Sequence, residues 1–331
     1  MGFTSLREDS AFEVEARVVV ASMPPTALKI VIMVSAGLAR ILPMLRMTQQ
    51  PEGAPLDIPR WRNFLTAMAA RVPAGITVLR TEVSGCVVDW LLPEEADPSA
   101  RMLYLHGGGY VGGSAHTHRA MAARIAQAAG CAGIIVDYRL APENPFPAAL
   151  EDAIAALEYA AQIGPSGGFS DARRLFVVGD SAGAGLGLSA LLETRGRIRV
   201  DAAATMSAWT DLACTGASHT TRRAVERYLA PHLMIPTADA YLAGWDARDP
   251  RASPLYGDLR GLPPLYMQVG DAEILLDDTL RFAARARQAG VDVHCEVWPE
   301  MVHVFQAFAA MLPEGQDAIA KLGSFLRAHS A

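Results

Sequence analysis

The stretch RLFVVGDSAGAGLGLSALL, residues 174–192, constrains the fold more than any other part of the sequence. Residues 175–178 are a continuous apolar run, typical of a strand buried on both faces, and the small residues and leucines after Ser181 favour a helix. Only two residues separate this strand from Ser181, so the chain must reverse sharply, and Gly179 and Gly183 leave room for the turn. The pattern G-x-S-x-G is typical of a nucleophile elbow, which exposes a serine hydroxyl at the carboxyl edge of a sheet. A glycine-rich helix start packed on its sheet is the alternative interpretation.

Strand-like and helix-like segments alternate from about residue 76 onward. Strands are predicted at residues 76–83 and 86–92, which form a hairpin, and at 101–105, 132–138, 175–178, 201–208, 264–270 and 291–299. Helices are predicted at residues 118–130, 147–162, 182–192 and 277–290, with a last helix at either 305–312 or 316–329. Strands joined by crossover helices indicate a mostly parallel sheet with helices on both faces. Residues 1–70 and 210–249 stand outside this alternation and are candidates for a lid at the carboxyl ends of the strands, where ligands bind in such sheets.

Charge and cysteine content narrow the classes of function. The 331 residues carry a formal net charge of −6 and no long block of basic residues, so nucleic acid and anionic membranes are poor candidate partners. The four cysteines have no metal-like spacing, and we expect buried, reduced thiols in a cytoplasmic protein. These cysteines are Cys86, Cys131, Cys214 and Cys295. A homodimer is compatible with the sequence.

A strongly apolar stretch lies near the N-terminus, at residues 26–45. Lys29, Arg40 and Pro43 interrupt it, and its uncharged run over residues 30–39 is too short to span a bilayer. Acidic residues precede the stretch and no small-residue cleavage site is evident, which is untypical of a signal peptide. We therefore expect a helix that covers an apolar site, with contact to a membrane surface as the alternative and no stable membrane insertion.

Three consecutive glycines, Gly107, Gly108 and Gly109, follow His106 directly after a predicted strand. Such a loop lets the backbone approach a ligand with its N–H groups turned inward. An acyl-transfer enzyme needs these donors, because its tetrahedral intermediate carries an oxyanion. The N–H of Ala182, the residue after the serine, is a further candidate donor.

The same loop also matches a dinucleotide-binding pattern. Gly107, Gly109 and Gly112 fit G-x-G-x-x-G, and Asp137 ends the next strand, where an acid that binds a ribose is expected. This interpretation predicts a dinucleotide-dependent oxidoreductase, but it leaves His106 and the G-x-S-x-G turn without a role. A purely structural tight turn is a third interpretation.

A serine nucleophile requires a base, and His303 is the best placed of the eight histidines. It lies between the last predicted strand and the last predicted helix, in a loop that opens at the same sheet edge as Ser181. His106 is expected to brace the backbone of the glycine loop. His116 and His118 form an H-x-H pair, which is a weak metal signal because no third ligand follows at a useful spacing.

A third residue must hold the imidazole in the correct tautomer and stabilise its charged form. The loop after residues 264–270 supplies Asp271 and Glu273, and both fit this role. Asp277 and Asp278 begin the next predicted helix and are explained as charges at its N-terminus. Either acid gives the chain order serine, acid, histidine that is described for α/β-hydrolases.

Longer motifs surround these residues. They are HGGG at 106–109, DYRLAPENPFPAALEDA at 137–153, GDSAG at 179–183 and SAWTDL at 207–212. With the late histidine, this combination resembles the hormone-sensitive-lipase-like family of α/β-hydrolases, chiefly its bacterial carboxylesterases. The resemblance implies an α/β-hydrolase fold with an eight-stranded, mostly parallel sheet, formed by residues 71–209 and 250–331. It also implies a helical cap built from residues 1–70 and the insertion 210–249.

The resemblance bears on the choice of the acid. The family's acid motif is D-P-L-x-D-E, and the matching stretch here is EILLDD, residues 273–278, so the aspartate position falls on Glu273 and not on Asp271. The histidine is followed by valine, as HVF, where many members have HGF. Both departures resemble a branch of the family that uses glutamate. We therefore expect Glu273 to be the acid, with Asp271 as the fallback.

These observations lead to one hypothesis and two rivals. The hypothesis is a serine carboxylic-ester hydrolase that acts on short- to medium-chain or small apolar esters through an acyl-enzyme and needs no metal or cofactor. The first rival is the dinucleotide-dependent oxidoreductase. The second is a non-catalytic small-molecule-binding relative, since some members of the family are hormone receptors; those lose the late histidine, whereas His303 is present here.

Overall fold

The structure, a computed structural model, describes residues 35–48 and 50–329. Within them one eight-stranded sheet has the order β1-β2-β4-β3-β5-β6-β7-β8. Its strands are β1 (Ile76–Val83), β2 (Cys86–Pro93), β3 (Asp97–Leu105), β4 (Cys131–Val136), β5 (Arg174–Asp180), β6 (Ala202–Met206), β7 (Leu265–Gly270) and β8 (Val293–Trp298). β2 pairs antiparallel with β1 and β4, and all other neighbours are parallel. The predicted mostly parallel sheet is therefore confirmed.

Helices cover both faces of this sheet. They are α1 (Ala36–Leu45), α2 (Ile58–Ala67), α3 (Ala115–Ala129), α4 (Ala148–Gln162), α5 (Ser181–Thr194), α6 (Ser218–Thr221), α7 (Met234–Leu242), α8 (Leu276–Gln288) and α9 (Pro313–Ala328). Apolar side chains of α3 and α9 form the core on one face, and those of α4, α5 and α8 form the core on the other. Of the two predictions for the last helix, the later one is right, because Phe305–Phe308 forms only a 3₁₀ turn.

Short sequence signals explain where these elements begin and end. Ser84 and Gly85 join β1 to β2, and both have positive φ angles, of 51° and 84°, as a two-residue type I′ hairpin requires. Ser114 caps α3 by accepting the N–H of Thr117, and Gly130 ends that helix in the left-handed conformation. The chain therefore turns within two residues between β1 and β2, and α3 ends within one residue before β4 begins.

The described part of the N-terminal segment, which is residues 35–48 and 50–70, packs on the core through α1 and α2. Leu38, Ile41 and Leu45 of α1 are buried in one cluster with Phe305 and other residues that follow His303. The apolar helix predicted over residues 26–45 is described only from Ala36 onward; residues 26–34 lie outside the described part of the chain.

The insertion 210–249 carries α6 and α7. Asp278 lies in the first turn of α8, as predicted, but it is buried, and its carboxylate accepts the N–H groups of Thr210 and Asp211. Asp277 likewise accepts the N–H of Ser218 at 2.9 Å. These two carboxylates anchor the start of the insertion to the core.

The N-terminal segment and the insertion also meet each other. The hydroxyl of Thr48 donates to the carbonyl oxygen of Tyr228 at 2.6 Å. This hydrogen bond joins two pieces that are 180 residues apart in the chain.

All four cysteines are free. Cys86 and Cys131 are buried, as predicted, but Cys214 and Cys295 are only partly buried, so the prediction of four buried thiols is wrong for these two. Across residues 35–48 and 50–329, each helix is too short or too polar to cross a membrane.

Candidate active site

Ser181 occupies the sharp turn between β5 and α5. Its φ angle is +53°, a conformation that a residue with a side chain rarely adopts. A Cβ atom on Gly179 would lie 2.6 Å from the carbonyl oxygen of Gly183, and one on Gly183 would lie 2.1 Å from that of Leu105. Both contacts are with backbone that cannot move aside. The two glycines therefore permit the turn that places Ser181 at the carboxyl edge of the sheet.

His303 lies between Ser181 and Glu273 in the structure. Its Nε2 atom is 2.9 Å from the hydroxyl oxygen of Ser181, and its Nδ1 atom is 2.7 Å from Oε2 of Glu273. All three residues are buried. Asp271 is turned elsewhere, because its carboxylate accepts the N–H of Glu300 at 2.7 Å.

The second oxygen of Glu273 is also held. Oε1 accepts the N–H of Gly270 at 2.7 Å and the hydroxyl of Ser207 at 2.8 Å. The same hydroxyl oxygen of Ser207 accepts the N–H of Val304, the residue after His303, at 3.0 Å. Ser207 therefore joins the loop of the acid to the loop of the histidine. Ser207 directly follows β6 at the same sheet edge, but no role is predicted for it from the sequence.

Glu226 is a second buried carboxylate near His303, and no sequence motif singles it out. Its Oε1 atom accepts the N–H groups of Tyr228 and Leu229, at 2.7 and 3.0 Å, and its Oε2 atom accepts that of Ile274 at 3.0 Å. Burial raises the pKa of Glu226. These bonds tie the insertion to the loop that carries Glu273.

The pKa of His303 is raised above its ordinary value. Burial alone would lower it, because a buried imidazolium loses its water. The charge and hydrogen bond of Glu273 outweigh that effect, and the charges of Glu226 and Asp180 act in the same direction. The site therefore stabilises the protonated imidazolium form of His303.

The glycine loop differs from the sequence prediction at one residue. Gly107 is among the predicted oxyanion donors, but its N–H donates to the carboxylate of Asp180 at 3.0 Å and is not free for a substrate. In the described part of the chain, no acceptor takes the N–H groups of Gly108 and Gly109. The N–H of Ala182 belongs to the first turn of α5, where no helical acceptor exists. Three of the four predicted donors are therefore available.

His106 and Asp180 fix the backbone of this loop through close contacts with Gly107. The His106 ring stacks on Tyr138 with centroids 4.1 Å apart, and its Nδ1 atom lies 2.8 Å from the carbonyl oxygen of Gly107. Burial lowers the pKa of His106 to about 3, so this ring is neutral. Burial alone would raise the pKa of Asp180. The pKa is nevertheless lowered, because His118 and hydrogen bonds from the Tyr104 hydroxyl and the Gly107 N–H stabilise the carboxylate.

The dinucleotide pattern finds no support in the geometry of the loop. A Cβ atom on Gly108 would lie 2.2 Å from the carbonyl oxygen of Gly112, so these glycines pack on each other. Asp137, the predicted ribose ligand, accepts the N–H of Ala115 at the start of α3. The H-x-H pair diverges, since His116 contacts Arg119, and the described residues contain no cluster of three or more metal-ligating side chains.

A cavity of about 110 Å³ lies over Ser181. Its floor includes Gly108, Gly109 and His303. Its walls come mainly from apolar side chains of the N-terminal segment and the insertion, including Leu56, Trp61, Leu65, Tyr228, Leu229, Leu233 and Met234. A small, mostly apolar molecule fits such a space.

Comparisons with known proteins agree with this arrangement. Residues 102–307 match a family model described as the alpha/beta hydrolase fold. An acetyl-hydrolase from Streptomyces hygroscopicus is 46% identical over 258 residues, which cover 77% of this chain and 83% of the relative. An ethyl acetate hydrolase from Pseudomonas putida is 33% identical over 255 residues, 72% of this chain and 76% of the relative. The crystal structure of an esterase from the bacterial hormone-sensitive lipase family is 41% identical, with a TM-score of 0.83 and coverage of 90% of this chain and 99% of that one.

Proposed function

Because the chain belongs to the hormone-sensitive-lipase-like family of α/β-hydrolases and is a carboxylic ester hydrolase, we propose that it cleaves esters with Ser181, His303 and Glu273 as its catalytic residues. One observation carries this proposal: a continuous chain of hydrogen bonds from Glu273 through His303 to Ser181, at the floor of an apolar cavity. A nucleophile, a base and an orienting acid within hydrogen-bond reach are what acyl transfer requires.

The reaction begins at the hydroxyl of Ser181. His303 Nε2 takes the proton of this hydroxyl while Oγ forms a bond to the ester carbonyl carbon, and the carbonyl electron pair moves to its oxygen. When the carbonyl reforms, the bond to the alcohol oxygen breaks, and His303 returns the proton to that leaving group. Water then attacks the acyl-enzyme in the same way, again with His303 as base, and releases the acid and Ser181.

Glu273 acts through His303. It accepts the Nδ1–H, which leaves Nε2 free to take a proton, and its charge stabilises the imidazolium that forms. The N–H groups of Gly108, Gly109 and Ala182 would stabilise the oxyanion, since donors fixed before the reaction need no reorganisation during it.

We further propose that the substrates are small esters with short, apolar acyl groups. The cavity volume of about 110 Å³ and its apolar walls support this preference. Two relatives are named acetyl-hydrolase and ethyl acetate hydrolase, which points in the same direction. In this proposal the N-terminal segment and the insertion form the cap that limits the acyl chain. A cytoplasmic location and a homodimer stay predictions.

The test uses the purified full-length protein with p-nitrophenyl acetate, butyrate and decanoate. We expect kcat/KM to be highest for the two short esters and an organophosphonate to add one label, located at Ser181 by mass spectrometry. Ser181→Ala is the matched control and should take no label. Faster cleavage of the decanoate than of the butyrate would contradict the short-chain preference, and a label elsewhere would contradict the nucleophile.

A further inference from the structure

The indole of Trp61 reaches from α2 into the glycine loop. Its Nε1–H donates to the carbonyl oxygen of Gly108 at 3.1 Å. The N–H of Gly112 donates to the same oxygen at 3.0 Å. This carbonyl is therefore held by two donors from two different parts of the chain.

The Gly108 carbonyl shares one rigid peptide unit with the N–H of Gly109. Within the described residues the cis peptide bonds precede Pro142 and Pro147, so the bond between Gly108 and Gly109 is trans. In a planar trans unit the C=O and the N–H point in opposite directions. Donors that fix the Gly108 oxygen on one side therefore also fix the direction of the Gly109 N–H on the other.

This peptide unit needs such restraint because glycines flank it on both sides. Gly108 and Gly109 have φ angles of +121° and +69°, and glycine populates positive and negative φ about equally. A flip of the unit would exchange its N–H for its carbonyl oxygen. An oxygen aimed at the oxyanion would repel the charge that the N–H stabilises.

The indole itself is well supported. A Cβ atom on Gly112 would lie 3.0 Å from Cδ1 and 3.2 Å from Nε1 of Trp61, so the ring packs directly on this glycine. Phe64 stacks on the ring with centroids 5.7 Å apart, and Tyr228 of the insertion meets it edge-on at 6.1 Å. The donor therefore has little freedom to leave the Gly108 oxygen.

We propose that Trp61 is a positioning residue for the oxyanion hole, in that its indole N–H holds the Gly108–Gly109 peptide with the Gly109 N–H directed at the developing negative charge. The inference rests on the proposed function, which assigns the oxyanion to this loop. Its effect belongs to the transition state, because only there is the charge fully developed. Loss of the indole N–H should therefore lower kcat more than it changes KM.

The experiment separates the N–H donor from the aromatic ring. Trp61→Phe keeps an aromatic ring and removes the donor, whereas Trp61→His keeps a five-membered ring with an N–H at a similar reach and removes the larger face. We expect Trp61→Phe to lower kcat on p-nitrophenyl butyrate roughly tenfold, less than the 10²- to 10³-fold typical of a lost donor, because the Gly112 N–H still holds the carbonyl. Trp61→His, assayed at pH 8, should recover most of that loss.

A second measurement tests the transition state directly. An alkylboronic acid forms a tetrahedral adduct with a catalytic serine, and Trp61→Phe should weaken its inhibition by the same factor as kcat. Thr66→Ala is the matched control, since Thr66 is exposed on the same helix, lies outside the cavity lining, and its hydroxyl donates to the carbonyl oxygen of Arg62 within α2. It should keep kcat and boronate affinity within about twofold of the parent.

The inference is overturned if Trp61→Phe keeps the parent kcat, if only its KM changes, or if Trp61→His loses as much activity as Trp61→Phe. Thermal unfolding of each variant shows whether it is folded at the assay temperature. Should Trp61→Phe not fold, Trp61→Leu replaces it as the variant without an N–H donor, and its kcat and boronate affinity are compared with those of Trp61→His and Thr66→Ala. Failure of the proposed function is a separate result, namely activity in a folded Ser181→Ala protein.

Discussion

Oε2 of Glu273 lies 2.7 Å from Nδ1 of His303, while the other oxygen of the same carboxylate is fixed by Gly270 and Ser207. Glu273→Gln should lower kcat by about 10⁴, because an amide that donates to Nδ1 favours the wrong tautomer of the imidazole. The measurement is kcat on p-nitrophenyl butyrate at several pH values, with the fold checked by circular dichroism.

Asp271→Asn is the control for this prediction. The Asp271 carboxylate accepts the N–H of Glu300, so its loss should cost stability more than rate. We expect a lower Tm and a kcat within a few-fold of the parent. If Asp271→Asn is the crippled enzyme and Glu273→Gln is nearly normal, the acid is Asp271.

The hydrogen bond between Ser181 and His303 predicts strongly non-additive losses. Ser181→Ala and His303→Ala should each lower kcat by roughly 10⁴ to 10⁶, and the double variant should be no worse than either one, because the residues act as a unit. Steady-state assays on the three folded variants measure this. Losses that multiply in the double variant would show that the two side chains act independently.

The charges around His303 predict the pH dependence. His303 must be neutral to take the proton of Ser181, so kcat/KM falls as the pH decreases through its pKa. Since Glu273, Glu226 and Asp180 raise that pKa, the fall should begin at a higher pH than for an ordinary histidine. Glu226→Gln removes one of these charges, lowers the pKa of His303 and should move the acidic limb to lower pH.

Glu151→Gln is the control variant for Glu226→Gln. Glu151 is an exposed carboxylate that pairs with Arg139 and is not among the charges that act on His303. Its pH profile should coincide with that of the parent. If the acidic limb shifts equally in both variants, or in neither, the Glu226 carboxylate does not raise the pKa of His303.

A side chain at position 108 should lower the rate, because it would distort the backbone of the glycine loop. Gly108→Ala places a Cβ atom 2.2 Å from the carbonyl oxygen of Gly112, at a φ of +121°, so the loop must move and its N–H donors with it. We expect kcat to fall roughly 10²- to 10³-fold. Gly130→Ala is the control, because Gly130 also has a positive φ but has nothing within 4 Å of the added atom. It should cost roughly 1 kcal/mol of stability and no rate; equal losses of kcat in both variants would contradict the prediction.

The expectations for Ser181 and His303 rest on local physics and strand order, whereas the choice of Glu273 over Asp271 rests on the resemblance to a known family. The apolar run before Ser181 indicates a buried strand, and the crowding of a sharp turn explains Gly179 and Gly183 without any knowledge of the rest of the chain. His303 follows from topology, because loops after parallel strands open at one edge of the sheet. For Ser181 and His303, nothing beyond neighbouring residues and strand order is needed.

What the sequence could not predict depends on partners that are distant along the chain. The N–H of Gly107 is taken by Asp180, 73 residues later, and no local pattern shows which donor of a glycine loop is already used. The Glu226 carboxylate meets the N–H of Ile274 only because the insertion folds back on the core. The indole of Trp61 likewise reaches Gly108 from a helix whose sequence carries no chemical motif.

The hydrogen bond between Thr48 and Tyr228 has a consequence for protein engineering by recombination. A chimera that exchanges only the N-terminal segment, or only the insertion, with a homologous esterase would place the Thr48 hydroxyl and the backbone it contacts in pieces from two different parents. Crossovers near residues 70, 210 and 249, used together, would take both pieces from one parent. We expect such chimeras to be more soluble and more active than those in which only one piece is exchanged. Substrate preference would then be inherited from the parent that donates the pair.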